Sequence, residues 1–397
     1  MTSRILLGAL LGLAALSARA LAAPRIVAYY DGSMPVPQIP AAHINDLIYA
    51  FGEPNEAGTC EPPTAMQLHT LAALRALRRR HPGLRLIVSI GGWASAPQYS
   101  DIALTGRSRS RFAASCIQAF LVGQGLDGID LDWEFPVHGG MNRSRPQDRA
   151  DATALVQELR RQLEALGRKT HRHYLLTVAT PAATWEQGGG SGLHGGPYSV
   201  SDSYDLAALA RSVDWLNVMT YDMNTVFSPV SGFNTPLTAD PRDPTPQPQG
   251  SHDNLTSAVS FYESQGVPAA KIMLGIAFYG RGFTGVSSAN DGLYSKYTGI
   301  FQETAWKTIE SQFLASPDWV RHWSRTAQAP WLYNASQHTF FSYDDPVSLG
   351  IKADFARREH LGGVMIWVLG EDDPENSLLN ALVSHLDAPG SPQHARN

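Results

Sequence analysis

Short apolar runs alternate along the chain with longer stretches of helical periodicity. The runs fall at 26–30, 46–51, 85–90, 128–133, 174–180, 215–219, 271–278 and 363–368. Apolar runs of this length read as strands buried on both faces. Between them, 65–80, 108–123, 147–166 and 254–265 carry apolar residues at three- and four-residue spacing, as in helices that bury one face. Strand–helix alternation implies parallel strands joined by right-handed crossovers. The strand count predicts an α/β fold of the TIM (β/α)8 type over a doubly wound sheet, with chemistry at the C-terminal strand ends.

The pattern breaks between the seventh and eighth strands, where 280–362 is far longer than the usual loop of an α/β unit. Trp306, Phe313, Trp319, Trp323, Trp331, Tyr333, Phe340 and Tyr343 lie in that gap and supply apolar area for a small inserted domain, expected over about 280–345. The Gly/Pro-rich stretches 188–197 and 236–250 read as long surface loops on the same rim. Residues 1–22 combine Arg4, an apolar run from Ile5 to Leu16 and an Ala20-Leu21-Ala22 end, the pattern of a secretory signal peptide. The expected organisation is therefore a signal peptide over 1–22, one interrupted barrel over 23–386 and a disordered tail over 387–397. No segment is apolar for the roughly 20 residues that a membrane span needs, so a soluble, secreted monomer is expected.

Composition adds exclusions. The 397 residues are 43% hydrophobic and 17% charged with a net charge of -5, which gives no positive field for nucleic acid. Nine Trp and fourteen Tyr offer flat faces for sugar rings as well as core volume. None of the thirteen His falls in an HExxH or comparable pattern, so no metal or organic cofactor is expected. Cys60 and Cys116 are the two cysteines, and the sequence leaves open whether they pair.

The most informative segment runs from Asp127 to Glu134, where acids alternate with apolar residues. On a strand, Asp130, Asp132 and Glu134 share one face and Ile129, Leu131 and Trp133 the other. Three carboxylates facing a barrel interior cannot all stay ionised cheaply, so neighbours must push their pKa values apart and leave one able to donate a proton near neutral pH. The alternatives are a calcium site or a solvated strand end, and a cation needs ligands from more directions than one strand face.

This segment resembles the DxxDxDxE pattern of glycoside hydrolase family 18, the chitinases. Val88 to Trp93 resembles that family's SxGG strand, Met219-Thr220-Tyr221-Asp222 its MxYD strand end, Leu274 to Arg281 its seventh strand and Gly362 to Trp367 its eighth. The inserted segment is similar to the α+β domain of the deep-cleft, bacterial-type subgroup.

The resemblance implies hydrolysis of β-1,4 bonds between N-acetylglucosamine units, with chitin or its oligosaccharides as partner. It implies Glu134 as acid and base, Asp132 as orienting and charge-stabilising group and Asp130 as a group sharing a proton with Asp132, a purely structural buried acid being the alternative. It places the Tyr221 hydroxyl on the substrate acetamido group, Asp222 beside it and Trp367 under the sugar. From their places at strand ends, Trp93 is expected to stack on a sugar beyond the scissile bond, Tyr279 and Arg281 to hydrogen-bond to sugar, and Tyr30, Phe51, Met219 and Phe278 to line the pocket without touching the reacting atoms. Asn224 to Phe227 and Phe135 depart from the family's commoner residues. A chitin-oligosaccharide lectin of the same fold and an endo-β-N-acetylglucosaminidase acting on glycoproteins are the rival functions.

Overall fold

A computed structural model describes residues 23–93, 98–137, 143–182, 200–245 and 253–387. Residues 1–22, read from the sequence as a signal peptide, loop 188–197, part of loop 236–250 and the tail beyond Asp387 lie outside the described residues. Strands β1 (Arg25–Tyr30), β2 (Asp46–Gly52), β3 (Arg85–Gly91), β4 (Gly128–Asp132), β5 (Leu175–Pro181), β6 (Trp215–Met219) and β7 (Ile272–Ala277) follow one another in parallel. The chain then leaves the barrel for β8 (Tyr279–Thr284), β9 (Gly299–Ala305), β10 (Val320–Ser324), β11 (Ala329–Asn334) and β12 (Thr339–Ser342). It returns as β13 (Gly363–Trp367), which pairs with β7 and β1 and closes the barrel.

Each barrel strand turns alternate residues inward, and the inward set forms its own apolar cluster that includes Val27, Tyr29, Ile48, Ile87, Trp215 and Met365. At the N-terminal end, Trp215 lies under the guanidinium groups of Arg25 and Arg85, each 5.5 Å from its ring centroid. Both arginines pair with the buried Asp46, so charge and an indole ring seal that end. The outward set packs on the surrounding helices in the main core.

Helix Ala65–Arg80 starts at a capping box made by Thr64 and Gln67. The expected helix at 108–123 is α-helical only over Gly106–Cys116 and widens to π geometry over Ile117–Val122. Cys60 and Cys116 form a disulfide with a Cα–Cα distance of 5.0 Å, which ties the loop after β2 to this helix.

The five strands between β7 and β13 form an antiparallel sheet in the order β10-β11-β12-β8-β9. Its aromatics are mostly core: Trp331, Phe340 and Phe283 are buried on one face together with Phe233, which reaches in from the segment after β6. Among the described residues, no helix is long and apolar enough to cross a membrane.

Candidate active site

Asp130 lies at the middle of β4, fully buried in the barrel interior. Among the described residues, four donors from four other strands converge on its carboxylate: Tyr29 Oη (2.7 Å), Ser89 Oγ (2.7 Å), Thr177 Oγ1 (2.5 Å) and Asn217 Nδ2 (3.0 Å). The Trp215 indole N–H donates to Asn217 Oδ1 and so fixes which way that amide points. Burial pushes the Asp130 pKa up, and the four hydrogen bonds oppose it.

Asp132 stands one inward step further along, and Glu134 two residues past the strand end. Trp133 between them is buried on the outer face, stacked on Tyr99 at 5.4 Å, and its carbonyl accepts the Tyr204 hydroxyl at 2.7 Å. That anchor delivers Glu134 to the mouth. Neighbouring β3 can approach because Gly91 has φ 120° and a Cβ there would lie 2.0 Å from the Asp132 carbonyl oxygen.

Asp132 and Glu134 are hydrogen-bonded to each other. Burial, followed by the charge of Asp222, pushes Glu134 up to about 8. Asp132 is raised well above the carboxylate range by burial and by the charges of Glu134 and Asp130. The pair therefore retains a proton through neutral pH, carried on a hydrogen bond that ends at Glu134. Asp132 Oδ1 is buried without a partner.

Opposite this pair, the segment after β6 presents Tyr221 and Asp222. The Asp222 carboxylate accepts both nitrogens of the Arg281 fork at 2.5 and 2.7 Å and the Tyr279 hydroxyl at 2.7 Å. Tyr279 and Arg281 open β8, so the inserted sheet leaves the barrel on the same rim as the acids. Arg281 also pairs with Glu303 of β9 at 2.9 Å. Burial, then the charges of Asp132 and Glu134, holds the Tyr221 phenol protonated far above its usual range. Trp367 ends β13 with Phe51 stacked on it at 5.8 Å and Tyr29 tilted against it at 5.4 Å. Met219 packs on the same interior cluster. Trp93 is 41% exposed, with the edge of Phe135 6.4 Å away. Among the described residues, no group of three or more His, Cys, Asp or Glu is arranged to hold a metal ion.

The sequence that builds this site matches a known family: the model for glycosyl hydrolases family 18 matches residues 25–372. The chain belongs to this family. Chitinase A1 of Niallia circulans is 36% identical over 328 residues, covering 80% of this chain and 45% of that protein. Chitotriosidase-1 of Mus musculus is 31% identical and covers 77% of this chain and 62% of that protein. The solved structure of chitinase ChiW from Paenibacillus sp. str. FPU-7 superposes with a TM-score of 0.81 at 31% identity, over 93% of this chain and 43% of that one. The chain thus spans about half the length of these relatives.

Within this family 18 barrel, Glu134, Asp132, Tyr221, Asp222, Tyr279, Arg281, Trp367, Phe51 and Met219 gather at one end. Two expectations are corrected. Tyr30 does not line the pocket: it faces the outer core, donates to the Met34 carbonyl at 2.8 Å and packs near Tyr49. Tyr29 takes the inward place, because β1 pairs with β2 and β13 in a register that turns Val27 and Tyr29 to the interior. Phe278 likewise belongs to the outer core. The Asp130 oxygens accept from hydroxyl and amide donors, and Asp132 is hydrogen-bonded to Glu134. Thr177 and Asn217 went unremarked in the sequence, and Ser89 entered only as the serine of the SxGG resemblance, without a role. Their signal was available, because a polar side chain in the middle of an apolar parallel strand must find a buried partner.

Proposed function

We propose that the protein is an exported chitinase that cleaves β-1,4 bonds between N-acetylglucosamine units with retention, by substrate assistance. Family 18 departs from the two-carboxylate scheme of most glycosidases. The acetamido oxygen of the sugar on the non-reducing side bonds to C1 while the C1–O bond breaks and Glu134 passes its proton to the leaving oxygen. Water then attacks C1, Glu134 takes the water proton, and the ring formed with the acetamide reopens. Asp132, next to Glu134, accepts a hydrogen bond from the acetamide N–H and balances the charge of the ring intermediate. The Tyr221 hydroxyl, kept protonated, donates to the acetamido group, and Trp367 with Phe51 floors the sugar. Trp93 stacks beyond the scissile bond.

The observation that carries this reading is the proton-retaining Asp132–Glu134 pair facing Tyr221 and the Arg281-clamped Asp222. The disulfide fits an oxidising, exported setting. Incubation with N-acetylglucosamine oligomers and mass analysis of products tests it: shorter acetylated oligomers are expected. Binding without cleavage would establish the lectin reading, and cleavage confined to glycoprotein cores the endo-β-N-acetylglucosaminidase reading.

A further inference from the structure

Asp222 is held at both ends by one rung of the inserted sheet. Its backbone sits in the left-handed region with φ 61°, which a non-glycine residue keeps only when its surroundings hold it there. The Asp222 N–H donates to Asn234 Oδ1 at 2.9 Å, and Met223 N–H donates to the Asn234 carbonyl at 3.0 Å. The Asn234 N–H in turn donates to Ser342 Oγ at 2.8 Å. Ser342 is the cross-strand partner of Arg281 in the β12–β8 register. Arg281 completes the cycle by gripping the Asp222 carboxylate.

Asn234 and Ser342 are buried at 0% and 1% exposure, so water cannot replace their bonds. The residues flanking Asn234 are also seated in the inserted sheet or its exit. Phe233 packs edge-on to Trp331 at 5.7 Å, and Thr235 Oγ1 donates to Asp344 at 2.8 Å.

The geometry points to Asn234 and Ser342 as positioning residues for the reaction: they lock the Asp222 backbone to the sheet rung that binds its carboxylate, so the inserted sheet sets the aim of the acetamide clamp. This rests on the function proposed above. Glu134 faces Asp132 from β4 and Tyr221 and Asp222 from the segment after β6. Asp222 faces Tyr279 and Arg281 from β8 and Glu303 from β9. Burial, and after it the negative charge of Asp222, holds Glu134 protonated, so a displaced Asp222 lets Glu134 lose its proton at lower pH.

The test compares wild type, Asn234→Ala, Ser342→Ala and Thr235→Ala on an N-acetylglucosamine hexamer across pH, with melting temperatures alongside. Asn234→Ala and Ser342→Ala are expected to lower kcat between about tenfold and a hundredfold, more than they raise KM, and to move the alkaline limb of kcat/KM to lower pH. Thr235→Ala, which touches the same segment but not Asp222, is expected to lower the melting temperature and leave the limb in place. Folded Asn234→Ala and Ser342→Ala enzymes with a wild-type limb and kcat, or a Thr235→Ala limb that shifts equally, would overturn the assignment. If Asn234→Ala does not fold, Ser342→Ala decides. A wild-type protein that leaves the hexamer intact would instead refute the proposed function.

Discussion

In the proposed function Glu134 carries the chemistry because of where its side chain ends up, largely buried just past the end of β4 and hydrogen-bonded to the buried Asp132. Replacing it with Gln removes the transferable proton and little volume, so kcat on an oligosaccharide with an unactivated leaving group should fall by a factor of about 10²–10⁴ or more. Near-wild-type turnover would remove Glu134 from the role. The raised pKa of about 8 also sets a pH window. Glu134 must be protonated to act as acid, so kcat/KM should fall as pH rises through about 8, and a limb near the ordinary value of 4.5 would contradict the site electrostatics. The same shift has a stability consequence with a definite sign. A carboxyl whose folded pKa exceeds its unfolded pKa favours folding below the unfolded value and loses that contribution as pH rises through the folded one. Glu134→Gln should therefore melt increasingly above wild type from about pH 5 upward, levelling off beyond about pH 8. At this scale the sequence showed the three acids sharing a face, because strand alternation is rigid. It did not show that Asp132 pairs with Glu134 instead of Asp130, because that depends on Tyr29, Ser89, Thr177 and Asn217 arriving from four other strands.

Barrel strands were legible as elements because parallel strands covered on both faces must be continuously apolar, and all eight expected runs became barrel strands. The inward phase of β1 was not legible. Tyr29 and Tyr30 are adjacent and alike, and only pairing with β2 and β13 decides which one meets Asp130. The strands of the inserted sheet also escaped assignment: β9 has no buried residue and β10 only Ser324, so their apolar pattern is weak. Pairing of Cys60 with Cys116 was undecided for the same reason, since a loop and a helix meet only once the barrel forms. That bond closes a separation of 56 residues on the outer side of the barrel, away from the acids. The double variant Cys60→Ala/Cys116→Ala should therefore lose about 2–4 kcal/mol of unfolding free energy in chemical denaturation. Its kcat/KM below the denaturation transition should match wild type, and a selective loss of turnover would show that the loop after β2 shapes the cleft.

Across the whole molecule, the candidate reaction centre is assembled from parts far apart in the chain: Asp132 and Glu134 at the end of β4, Tyr221 and Asp222 after β6, Arg281 on the inserted sheet and Trp367 at the end of β13. This distribution bears on which atom attacks the anomeric carbon. A direct nucleophile must lie across the scissile bond from the acid, and Asp132 lies beside Glu134 on the same strand end, bonded to it. Asp222 reaches in from another side, but its carboxylate is occupied by Arg281 and Tyr279. In the proposed mechanism an acetamide held between Tyr221 and Asp132 supplies the attacking oxygen from the substrate itself and turns an encounter between molecules into an oriented intramolecular step. A fully deacetylated glucosamine oligomer, or a cellulose oligomer, should then resist cleavage even where it binds. In partly acetylated chitosan, the unit on the non-reducing side of each broken bond should be acetylated, and sequencing the products by mass spectrometry reads this directly. New reducing ends that carry glucosamine as often as N-acetylglucosamine would mean that a protein carboxylate attacks, and Asp132 would then have to leave Glu134 and cross to the far side of the sugar.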